Sequence, residues 1–103
     1  MALPAMSPEQ RQEALAKARE ARTARSALLA DLKAGAVTLA DVLGRDDDLA
    51  RKTKVAQVVR ALPGVGQARA TAALENARIP PDRRVGGLGA RQREQLLAEF
   101  AGR

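Results

Sequence analysis

The sequence predicts an all-α fold, and three features of its 103 residues carry that expectation. No segment alternates apolar and polar residues as a half-buried strand does. Apolar residues recur instead at helical spacing: Val55, Val58, Val59 and Leu62 fall at i, i+3, i+4 and i+7. Helix-start signals also appear, as in Ser7-Pro8-Glu9-Gln10 and Thr38-Leu39-Ala40-Asp41, where a capping hydroxyl precedes its partner by three residues.

The first helix opens at Ser7, with Pro8 suited to the first helical position, and runs to about Ala34, where Gly35 is placed as a left-handed cap. Its halves differ. Leu15 is the only large apolar residue between Glu9 and Arg25, whereas Leu28, Leu29 and Leu32 form a patch near the end. Residues 1–34 are therefore expected to be a long N-terminal helix whose first half projects, and residues 35–103 a compact helical domain. Thr38 opens a short helix that Gly44 ends. Asp46, Asp47 and Asp48 supply a cap and first-turn acids for a helix from about Leu49 to Leu62. Their contiguity does not match the alternate spacing of a metal loop. A helix from Gln67 to Arg78 turns Ala70, Ala73, Leu74 and Ala77 inward, and Ile79-Pro80-Pro81-Asp82 breaks it. A last helix from Ala90 to Phe100 closes the domain through Leu96, Leu97 and Phe100.

Composition narrows what such a domain can do. Apolar residues make up 46% of the chain, but 23 of them are alanines, so the core is thin and leaves little room for a small-molecule pocket. Phe100 is the only aromatic, which argues against modules that stack unpaired bases. Cysteine and histidine are absent, removing disulfides, thiolate metal sites and the easiest general base. No apolar run suits a secretory signal or a membrane span, so a cytoplasmic location is expected. Eighteen cations face twelve anions, a net charge of +6. The excess is concentrated, because residues 51–103 carry eleven cations and four anions. A balance of this kind attracts polyanions.

That basic segment contains Leu62-Pro63-Gly64-Val65-Gly66, followed by Ala70. Pro63 presets a turn, and the two glycines remove side chains that would keep a ligand from the backbone N–H groups. With the helix start after it, the corner suits an anion, and the spacing is that of a helix-hairpin-helix that grips nucleic-acid backbones. Gly66 is expected to be small both for its own conformation and for phosphate approach. Gly87-Leu88-Gly89 repeats the arrangement behind Arg83-Arg84, whose guanidinium groups suit phosphate oxygens. Arg19, Arg22 and Arg25, spaced by three along the first helix, are either a solvated face or a DNA contact.

These motifs resemble the actinobacterial type of integration host factor. The resemblance covers nearly the whole chain: Met1-Ala2-Leu3-Pro4, Ser7-Pro8-Glu9-Gln10-Arg11, Lys52-Thr53-Lys54-Val55, Leu62 to Gly66 with Arg69-Ala70, and Arg83-Arg84-Val85 with Gly87-Leu88-Gly89. It implies a helix-two-turn-helix element after a long helix, and a protein that binds duplex DNA with little sequence preference and bends it, in chromosome compaction and phage integration. Carried onto this sequence, it implies a first phosphate contact at Gly64, Val65 and Gly66, supported by Lys52, Lys54 and Arg69, and a second at Arg83, Arg84, Gly87 and Gly89. Gly86 departs from the family pattern, which reads Arg-Arg-Val-Arg-Gly-Leu-Gly, and its lost cation is expected to weaken the second corner. Gln67, where relatives often carry Lys, trims the first.

Other functions sharing such elements are less well matched. Repair lyases need a catalytic lysine in a pocket, whereas Lys52 and Lys54 fall in a polar turn, so no enzyme, cofactor, metal or small-molecule substrate is expected. A small-subunit ribosomal protein uses a similar element on structured RNA but carries a long basic tail that this sequence does not show; it remains the alternative. The expected partner is double-stranded DNA, held through its phosphate backbone, and the chain is expected to be monomeric in solution.

Overall fold

The computed structural model describes residues 7–101, so the Met1-Ala2-Leu3-Pro4 part of the resemblance lies outside the described residues. Helix α1, Pro8–Ala34, begins with a closed capping box: Ser7 Oγ accepts the Gln10 N–H at 3.1 Å, and Gln10 Oε1 accepts the Ser7 N–H at 3.0 Å. Gly35, at φ 77°, ends it in the left-handed region. Helix α2, Leu39–Leu43, repeats the box through Thr38 and Asp41. Asp47 caps α3, Asp48–Lys52, while its carboxylate takes two hydrogen bonds from Arg45 at 2.7 and 2.9 Å. Then follow α4, Val55–Ala61; α5, Gln67–Asn76; a 3-10 turn, Val85–Gly87; and α6, Ala90–Glu99. Among the described residues there is no strand, and the fold is all-α.

The expected helix from Leu49 to Leu62 is two helices, broken at Thr53 and Lys54. A continuous helix would aim the Val55 N–H at the carbonyl four residues back. That N–H goes instead to the Arg83 carbonyl at 2.9 Å, and the Val85 N–H returns to the Thr53 carbonyl at 2.9 Å. Lys54 and Arg84 thereby pair as a single antiparallel bridge. Thr53 is buried, and its hydroxyl donates to the Leu49 carbonyl at 2.7 Å, so among the described residues the break leaves no buried side-chain polar atom unpaired.

Helix α5 also stops earlier than Arg78. Arg78 takes φ 57°, its N–H bonds the Glu75 carbonyl and that of Ile79 bonds Leu74, which is a Schellman turn with arginine in the usual glycine position. The final helix ends at Glu99, with Phe100 as its cap.

Helix α1 packs on α3 and α4 through its second half. Leu28 and Leu32 join Val55, Val58, Val59, Leu62, Ala70, Ala73, Leu74, Leu96 and Phe100 in one buried cluster, with Leu29 and Leu97 at its edge. Twenty-seven residues reach about 40 Å, most of the 49 Å long axis of the molecule. Residues 8–23 are all exposed, and this half projects.

Two predictions follow from packing and caps. Leu32→Ala, at a site with 0% exposure, should lower stability by about 2–5 kcal/mol, whereas Leu15→Ala, at 54% exposure, should stay within about 0.5 kcal/mol in denaturant melts. The Asp41 carboxyl is held below its ordinary value by the Thr38 backbone N–H and hydroxyl, and the Asp47 carboxyl by Arg45. A depressed carboxyl stabilises fully above its unfolded pKa and loses that contribution as pH falls through the folded one. Melting temperature should therefore drop below the ordinary carboxylate range, and Thr38→Ala should flatten that dependence.

Candidate nucleic-acid interface

The first corner joins α4 to α5. Gly64 sits at φ 74°, a conformation that strains any residue with a Cβ, and it lets the chain reverse after Pro63. Val65 buries its side chain at 8% exposure and gives its N–H to the Leu62 carbonyl at 3.1 Å. Val65 thus anchors the turn and offers a ligand no donor. Gly66 caps α5 with no side-chain hydrogen bond, and the N–H groups of Gly64, Gly66, Gln67, Ala68 and Arg69 meet no acceptor among the described residues. Those donors converge at the positive end of a ten-residue helix, the arrangement that binds anions. The expectation that Gly66 needs glycine for its own conformation is not met: its φ is −91°, and a Cβ there would touch nothing within 4 Å. Only the approach of a ligand requires a small residue at that position.

The cations beside this corner are not the expected ones. Lys52 and Lys54 lie at the far end of α4, at the second corner, because the break after α3 places them against Arg84. Lys33, in the last turn of α1, and Arg60, in the last turn of α4, share a groove with Gly64 and Gly66. Sequence reasoning missed both, although each falls four residues from an apolar residue that docks its helix, Leu29 and Ala56. Arg69 stays exposed, with its guanidinium carbon 5.4 Å from the centre of the Phe100 ring, a cation–π contact that fixes its direction.

The second corner uses its glycines differently. The Gly87 N–H is taken by the Arg84 carbonyl at 2.9 Å, and the Gly89 N–H by Gln92 Oε1 at 3.0 Å. Its backbone does not repeat the open donor array of the first corner, although Ala90, Arg91 and Gln92 at the start of α6 keep theirs unpaired. Gly87 instead makes room for an arginine. Arg83 Nη1 donates to the Gly87 carbonyl at 2.9 Å, and a Cβ on Gly87 would come within 3.0 Å of Arg83 Cδ. Arg84 reaches across to donate to the Lys52 carbonyl. Lys52, Arg83 and Arg84 therefore line one groove, with guanidinium N–H groups left over.

On α1 the three expected arginines do not form one row. At 3.6 residues per turn, Arg25 lies on the line of buried Leu32, Arg22 on that of Leu29 and Lys33, and Arg19 a further sixth of a turn away. Arg25 is half-buried and the other two are exposed. Arg11 also falls on the Arg22 line, while Glu9, Glu13, Glu20 and Asp31 share the opposite side. The helix is basic along the edge that continues into the first corner, and its acids lie behind, with Lys17 beside them.

These elements match known proteins. A family described as the S13-like H2TH domain, a helix-two-turn-helix, matches residues 32–100. Integration host factor of Mycobacterium tuberculosis (strain ATCC 25618 / H37Rv) is 44% identical over 102 residues, 97% of each chain. The chain belongs to the integration host factor family. The Streptomyces coelicolor (strain ATCC BAA-471 / A3(2) / M145) member is 42% identical, over 97% of this chain and 95% of its own. A solved structure of sIHF bound to an 8bp palindromic DNA superposes with a TM-score of 0.78 at 38% identity, covering 82% of this chain and 98% of that one. In this integration host factor family member both glycine corners fall inside the H2TH match, together with Lys33 and Arg60, and Arg19, Arg22 and Arg25 fall outside it.

The two glycines of the first corner are separable by stability alone. Gly64→Ala should cost about 1–2 kcal/mol for its left-handed backbone. Gly66→Asp should melt at or above the parental temperature, since Asp is a better N-cap and its charge suits the helix dipole.

Proposed function

We propose that this chain is a nucleoid-associated protein that binds double-stranded DNA through the phosphate backbone, with little sequence preference, and bends it, acting in chromosome compaction and phage integration. The observation that carries this reading is the set of unpaired N–H groups of Gly64, Gly66, Gln67, Ala68 and Arg69, flanked by Lys33 and Arg60. Donors of this kind fit phosphate oxygens and carry no information about bases. Arg83, Arg84, Lys52 and Lys54 supply a second phosphate contact at the other end of α4, and Arg69 adds charge beside α5. Gly64, Gly66 and Gly87 act through conformation, access and the seating of Arg83. The basic edge of α1, with Arg22 and Arg25 nearest the body and Arg19 beyond, extends the surface along a duplex. The names of the relatives, and the DNA in the sIHF structure, agree with this assignment.

About four to six neutralised phosphates give a log–log salt slope of roughly −4 to −5, and unrelated duplexes of one length should bind within a fewfold of each other. Gly66→Asp, folded by its melt, should bind about tenfold more weakly, or about 1.4 kcal/mol, on every sequence. Arg83→Ala with Arg84→Ala should reduce the slope by about two. Because both side chains also hold backbone carbonyls, their melt is measured at the same salt. Anisotropy titrations with duplex DNA and a structured RNA as competitor decide the matter. A slope near zero, a hundredfold sequence preference, or tighter binding to the RNA would refute this function.

A further inference from the structure

Gly86 has an ordinary backbone, outside the positive-φ set, so its conformation does not demand glycine. Its neighbour does. A Cβ at Gly86 would come 3.1 Å from Arg51 Cβ, 3.1 Å from Arg51 Nε and 3.3 Å from the Arg51 carbonyl oxygen. Arg51, in the last turn of α3, therefore lies directly across the 3-10 turn, and α3 packs on that turn. The same device seats Arg83 over Gly87. Arg51 shares the groove of Lys52, Arg83 and Arg84, where the acids are Asp48 and Asp82. Four cations thus face two anions. Among the described residues the nearest carboxylate to Arg51 is that of fully exposed Asp46, at 3.9 Å, and the guanidinium makes no hydrogen bond. All five of its N–H donors remain available.

We infer that Arg51 is a phosphate-binding residue of the second corner, and that the missing side chain of Gly86 holds its guanidinium in the groove beside Arg83 and Arg84. The inference rests on the proposed reading that duplex phosphates dock there. A guanidinium fork meets two phosphate oxygens at once, and the flat surface of the 3-10 turn fixes the direction of that fork. The cation that the family pattern places at residue 86 is thus supplied from residue 51, through the space that Gly86 leaves.

The test is a double-mutant cycle on the full chain, with anisotropy on a duplex of arbitrary sequence from 50 to 200 mM salt. Arg51→Ala should weaken binding about three- to tenfold and reduce the salt slope by about one. Arg51→Lys should keep the slope yet recover only part of the affinity. Gly86→Ala should weaken binding similarly by pushing Nε aside, and should lose most of that effect when Arg51 is already Ala, where only the Cβ and carbonyl contacts of residue 51 remain. Thermal melts separate any loss of folding from loss of binding, and Arg51→Ala, which removes no hydrogen bond, tests the residue without the glycine change. Parental affinity and slope in Arg51→Ala, with clear losses in Arg83→Ala, would overturn the role of Arg51 while leaving the second corner in place. Parental behaviour in both would overturn the corner and the inference together. A Gly86→Ala loss that persists undiminished in the Arg51→Ala background would overturn the seating.

Discussion

The pairing of Thr53–Val55 with Arg83–Val85 is the constraint on which the charged surface depends. It joins segments far apart in the chain; Arg84 and Lys52, which it brings together, are 32 residues apart. Breaking the helix between α3 and α4 forfeits helical hydrogen bonds, each with a net value of about 1 kcal/mol. The bridge replaces them, and buried Thr53, Val55 and Val85 flank it while Lys54 and Arg84 face out. Without the break, Lys52 and Lys54 would continue the α4 surface. With it, they turn toward the arginine pair and make the second corner.

The glycines on the two corners solve three different problems. Gly64 supplies a left-handed turn. Gly66 leaves open space in front of unpaired N–H groups. Gly86 and Gly87 give way to side chains, those of Arg51 and Arg83. One corner therefore presents backbone donors with lysine and arginine beside them, whereas the other presents guanidinium groups with a mostly occupied backbone behind. On the proposed reading both attract the same chemical group by different means.

Much of the fold was legible because local chemistry agreed with it. Ser7, Thr38 and Asp47 cap helices, Gly35 ends one, and Val55, Val58, Val59 and Leu62 are all buried. The break at Thr53 and Lys54 was not legible, because every nearby signal suited one helix and the competing carbonyl belongs to Arg83. For the same reason the site was only partly legible. Glycine-apolar-glycine marked both turns, but the pattern does not say whether a glycine is needed for φ, for access or for a neighbouring side chain. Lys33 and Arg60 were missed because each looks like the solvated end of an amphipathic helix. Only the meeting of α1 with the first corner brings them to one groove.

Helix α4 gives the two corners their relation. Its seven residues span about 10 Å, and Val58 and Val59 fix it in the core, so the spacing between its ends is rigid. A single phosphate contact would leave the protein free to pivot. Two contacts on a rigid spacer define a direction, and the basic edge of α1 adds a third region along it. On the proposed reading, a duplex reaches all three only by following the protein surface. Bending a short site by 40–90° costs on the order of 1–6 kcal/mol, and the added phosphate contacts along α1 offset that cost. The core is built mainly of leucine and valine, and its few buried alanines serve this role, because Ala70 and Ala73 let α5 approach closely and keep the corner at its start fixed while the charged helix extends outward.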